Sequence, residues 1–141
     1  MPADFHIDTE RGIVFTKVTG VFGTAEVLDH MDRLTKHPGF RPEFNQLIDF
    51  REISRVVLSN EEIRGLARRT IFSSHSHRAY VVASDLQYGL CRMFATYREL
   101  SGEDGIQIFR EMSEALEWLS IPAEPDPKVF TRLESPGDQG A

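Results

Sequence analysis

Cysteine occurs once, as Cys91, so no internal disulfide can form, and no His pattern beside it marks a nucleophilic thiol. That usage fits a reducing, cytoplasmic setting. No run of about eighteen apolar residues is present, and the opening MPADFHIDTE lacks the basic segment and apolar run of a secretory signal. Neither a membrane span nor export is therefore expected. Basic charge is also short: 16 Lys and Arg against 22 Asp and Glu leave a formal net charge of −6, which opposes general binding to nucleic acid or anionic membrane. Catalytic signatures are missing too, with no G-x-S-x-G, no phosphate loop carrying its Lys, no H-E-x-x-H and no dinucleotide fingerprint. His75 and His77 alternate in a Ser-rich loop without a third ligand nearby, which makes a loop rather than a metal site. No enzymatic activity and no cofactor is expected.

What is present is enough apolar material, 40% of 141 residues, for one domain with one core. Phe5-His6-Ile7-Asp8 and Ile13 to Val18, joined through Glu10-Arg11-Gly12 and ending at Gly20, predict a hairpin. Thr24 as cap, with Val27, Leu28, Met31 and Leu34 at helical spacing, predicts a helix to His37. Gln46 to Phe50 reads as a short interior strand. Ser59-Asn60-Glu61-Glu62 is a capping box opening a second helix that ends near Phe72. The strongest unit is Arg78 to Leu100: a uniformly apolar strand from Ala79 to Ala83, then a helix capped by Ser84 with a stripe of Leu86, Leu90, Met93, Phe94, Tyr97 and Leu100. Ile106 to Phe109 and a helix from Ser113 complete the order ββαβαβαβα. Right-handed crossovers then make a mixed sheet of about five strands, with the last three parallel and the opening hairpin antiparallel. The domain is expected over 1–120. Residues 121–141, holding four of the seven prolines, form a tail that either stays disordered or packs through Val129-Phe130.

In such sheets ligands gather beyond the carboxyl ends of the parallel strands. Asp49-Phe50-Arg51, Ser84-Asp85 and Arg110 fall there, and Arg51 with the helix starts near Ser59 and Ser84 could hold an anion or a partner's carboxylate. The plainer reading pairs Arg51 with Asp49 and leaves the serines as caps. Gly89, inside a helix, points first to close packing and second to a partner's backbone, while Tyr88 and Arg92 form an i, i+4 pair on the helix flank.

The opening hairpin with Gly20, the segment His37-Pro38-Gly39-Phe40-Arg41-Pro42-Glu43-Phe44, the strand end Leu47-Ile48-Asp49-Phe50-Arg51, and above all Ser84 to Phe94 resemble the SpoIIAA-like, or STAS/SEC14-like, small bacterial proteins related to anti-sigma-factor antagonists. The resemblance spans about Phe5 to Leu119. It implies an α/β domain of STAS-like type, usually cytoplasmic and not enzymatic, working through protein contacts or an apolar or nucleotide ligand. In the antagonists an Asp-Ser-Ser-Gly turn carries the phosphorylated Ser. Here Val57-Leu58-Ser59-Asn60 occupies that turn, so Leu58 takes the switch position and no phosphoserine switch is expected. Two readings follow. The first is a regulatory interaction module meeting another protein or a second copy of itself through Phe50, Arg51, Ser59, Asp85, Tyr88 and Arg92. The second is a carrier holding a lipid-like or nucleotide ligand in a cavity near Met93, Phe94, Tyr97 and Trp118.

Overall fold

The computed structural model describes residues 3–134. Strands β1 (Ala3–Asp8) and β2 (Ile13–Gly23) make an antiparallel hairpin, and β3 (Asn45–Val57), β4 (Arg78–Val81) and β5 (Ile106–Phe109) add in parallel, side by side in chain order. Helices α1 (Thr24–Lys36), α2 (Asn60–Leu66) and α3 (Asp85–Leu100) are the crossovers, followed by α4 (Met112–Leu119) and α5 (Pro127–Glu134). Right-handed crossovers that step one way across a sheet leave their helices on the same face. Accordingly Ile48 and Tyr80 pack with Ala95 of α3, and Val14 packs with Leu34 of α1, all on one side of the sheet. The other residues of the alternation, Phe15, Leu47 and Val81 among them, meet Met112, Ala115 and Leu119 of α4 and Phe130 of α5 on the opposite face.

The expected order is present, with α5 added, while several boundaries differ for identifiable reasons. β2 does not stop at Gly20: that residue takes φ +69°, a left-handed value suited to glycine, and the strand resumes after a register shift. β3 has 13 residues instead of five, because Arg51 to Val57 continue pairing with β2 after the pairing with β4 has ended at Asp49. The cap of α1 is Gly23 and not Thr24; the Glu26 carboxylate accepts the Gly23 N–H at 2.8 Å, and the Thr24 hydroxyl donates to Glu62 instead. Ser59 and Glu62 form the anticipated reciprocal box, with both bonds near 3 Å. α2 nevertheless ends at Leu66, well before Phe72, which leaves the helix to stack edge-on against Phe40. β4 covers Arg78–Val81, and α4 starts at Met112 rather than Ser113. Phe130 packs on the core through α5; residues 135–141 lie outside the described part.

Candidate ligand cavity

Beneath the three crossover helices the face of the sheet is not fully covered, since α2 is only seven residues long and α1 and α3 stand over different strands. The result is a cavity of about 130 Å³. Ile48 and Phe50 of β3, Met31 of α1, Ile63 of α2, and Leu90 and Phe94 of α3 supply its apolar wall. Native cores leave few voids larger than a water molecule, so apolar space on this scale is room for an apolar guest.

Besides polar residues such as Gln46 and Gln87, the lining holds two arginines as its permanently charged side chains. Arg78 opens β4 on the same face as Tyr80, and Arg98 lies one turn beyond Phe94 on α3; their side chains are 2% and 3% exposed. Arg78 Nη2 donates to Glu103 Oε1 at 2.9 Å, and Arg98 Nη1 donates to Glu103 Oε2 at 3.0 Å. The Thr70 hydroxyl donates to the same carboxylate at 2.6 Å, and Arg98 Nη2 donates to the Arg69 carbonyl. Burial works to raise the Glu103 pKa, but the Thr70 hydrogen bond and the two guanidiniums outweigh it and hold the carboxyl below its usual range. Phe94 lies under the Arg98 guanidinium at 5.0 Å and Phe72 under that of Arg78 at 5.7 Å. Among the described residues, the Nε atoms of Arg78 and Arg98 are the buried side-chain polar atoms left without a hydrogen-bond partner.

The other titratable walls are neutral near pH 7. Burial, reinforced by Arg33, lowers His30 to about 4, and its Nε2 sits 3.1 Å from the Thr16 hydroxyl. Burial raises Tyr80 to about 12 and the Cys91 thiol to about 12. A thiol so held is a poor nucleophile. No cluster of three His, Cys, Asp or Glu suited to a metal occurs among the described residues, nor any helix long and apolar enough to cross a membrane.

The residues singled out in the sequence do not converge on one site. Phe50 lines the cavity, but strand alternation sends Arg51 to the opposite face, where it grips Asp49 through Nε and Nη2 at 2.9 Å each and lies 4.0 Å from Glu124. Ser59 is engaged as a helix cap. Asp85 and Tyr88 do come together on the outside of α3, joined by Arg110, which pairs with Asp85 at 2.8 Å and covers the Tyr88 ring at 4.8 Å. Arg92, the i, i+4 neighbour of Tyr88, is exposed on the same helix, and it is Arg110 that covers the Tyr88 ring. Gly89 does not make room for packing, as a methyl group there would have no neighbour within 4 Å. Of the four residues expected around a cavity, only Phe94 lines it; Trp118 is on the other face against His77 and Phe109, and Tyr97 sits under Arg64. No motif in the sequence marks Arg78, Arg98 or Glu103. The signal for Arg78 was its even spacing from Tyr80 in a strand with both faces covered.

No protein-family model matches this chain, and no curated protein matches its sequence. Among solved structures, an uncharacterized protein of the DUF3478 family from Shewanella loihica PV-4, described as having a SpoIIAA-like fold, superposes with a TM-score of 0.53 at 18% identity. The alignment covers 83% of this chain and 91% of that one. The chain has a SpoIIAA-like fold. This agrees with the resemblance carried by its sequence, and at such identity the likeness is one of fold. Leu58 is a wall residue of the cavity.

Proposed function

We propose that this SpoIIAA-like domain binds a small apolar molecule beneath α1, α2 and α3, as a non-catalytic carrier or sensor. The cavity of about 130 Å³ with its aliphatic and aromatic wall is the observation that supports this reading over a purely structural domain. Calorimetric titration with toluene tests it. The heat should saturate at a single class of site, and Leu90→Trp, which fills the cavity from α3, should abolish it while the circular dichroism stays unchanged. A wild-type protein that gives no saturable binding overturns the proposal.

A second reading, contact with another protein or a second copy, is favoured by a separate observation. Past Asp49 the β3 edge carries no further strand on its β4 side among the described residues, and Val21 and Val57 near the end of this ribbon are about half exposed. Leu86, 69% exposed, lies beside Asp85 on the first turn of α3. Sedimentation over rising concentration distinguishes self-association, which Leu86→Glu and Val57→Glu should weaken, from a monomer, which would leave the cavity reading alone.

A further inference from the structure

The buried charge around the cavity does not balance. Arg78 and Arg98 each carry a permanent positive charge that burial cannot remove, because guanidinium does not lose its proton in proteins. Glu103 returns one negative charge to the pair and is itself 5% exposed. One positive charge is left over, in surroundings where an uncompensated ion is costly. The donors are unbalanced in the same direction. Glu103, Thr70 and the Arg69 carbonyl use the Nη groups, whereas both Nε–H groups, on residues of the cavity wall, find no acceptor. A buried donor left unpaired is exceptional and points to an acceptor supplied from outside the chain.

We infer that the molecule held in this cavity is an apolar monocarboxylate, its hydrocarbon part among Ile48, Ile63, Leu90 and Phe94 and its carboxylate beside the guanidinium groups of Arg78 and Arg98. The inference rests on the cavity-binding function proposed above and adds the charge of the ligand. A carboxylate has one negative charge and two acceptor oxygens, so it brings the cluster to neutrality and offers the guanidiniums charge-assisted hydrogen bonds. The apolar wall accounts for the rest of the molecule, since a small hydrophilic anion would leave it unfilled. Glu103 keeps its place in the complex, as it already uses both oxygens on the arginines.

Calorimetric titration of the full chain with hexanoate and with 1-hexanol at pH 7.5 tests this. Hexanoate should bind more tightly than hexanol by roughly tenfold or more, the effect of charge-assisted hydrogen bonds that only the acid makes. Arg98→Gln, checked for folding by circular dichroism, should remove that preference. The comparison in the unaltered chain decides the matter even where the variant fails to fold. Hexanol binding as tightly as hexanoate overturns the charged-ligand inference and leaves the cavity function standing. Binding of neither compound overturns both.

Discussion

Gly89 is exposed in the middle of α3, and the space beside its Cα is open. Glycine in a helix interior costs about 1 kcal/mol relative to alanine, because more backbone freedom is lost on folding. Gly89→Ala should therefore raise the unfolding free energy by about 1 kcal/mol in urea titration, and an unchanged or lowered value would show that something approaches the backbone there. Gly105 is the opposite case: a methyl group at that position would collide with the Ser76 carbonyl, so alanine is not tolerated without a shift of the backbone. No residue-type rule separates the two glycines. Single residues were legible where their partner is local, as with the Ser59 and Glu62 cap three residues apart. They were illegible where the partner is remote, and even adjacent residues mislead, since Phe50 and Arg51 belong to opposite faces of β3.

Between elements, Glu103 does more than close the turn after α3. Its carboxylate joins the first residue of β4, the last turn of α3 and the segment after α2, which converge on no other ionised acid among the described residues. Removing one member of a buried ion cluster strands the others, at a cost on the order of 3–5 kcal/mol. Glu103→Gln, which keeps the shape but removes the charge and replaces one acceptor oxygen with an NH2 donor, should lower stability by about that amount in urea unfolding. A loss within about 0.5 kcal/mol, the usual range for surface substitutions, would place the carboxylate outside the structural framework. The sequence showed α3 clearly because its apolar stripe repeats at helical spacing, yet the ends of that stripe are out: Leu100 is 79% exposed. The buried side chains are Ala95 and Arg98. Periodicity reports a face, whereas the burial of an arginine depends on a carboxylate that arrives only after the chain turns back at Gly102. The second half of β3 was hidden for a related reason, as Arg51-Glu52 and Ser54-Arg55 have too few apolar residues to read as a strand and are held by pairing to β2.

For the molecule as a whole, topology was legible and the cavity was not. Alternating strands and helices with right-handed crossovers imply the sheet order and leave α1, α2 and α3 together, but whether three helices fill the face they share depends on their lengths and tilts, and α2 stops short. His30 is buried under that incomplete layer, and it shapes how the whole domain responds to acid. Its folded pKa of about 4 lies below the ordinary 6.5, so between these values the unfolded chain binds a proton that the folded chain refuses. Stability contributed by the neutral imidazole is complete above pH 6.5 and falls as pH drops toward 4, by about 3 kcal/mol in all. Glu103 and Glu62, both held below their ordinary value of 4.5, act in the same direction but lose their contribution only below that pH. The net charge of −6 opposes both, since added protons relieve self-repulsion. Urea midpoints measured from pH 7.5 to 4.5 should thus show a plateau followed by a decline that starts near 6.5, before the carboxylates titrate. His30→Gln should remove the decline between 6.5 and 4.5 while keeping the steeper loss below it. A His30→Gln profile that declines in parallel with wild type would mean that the imidazole takes up its proton in the folded state, and that the cavity side of α1 is open to water.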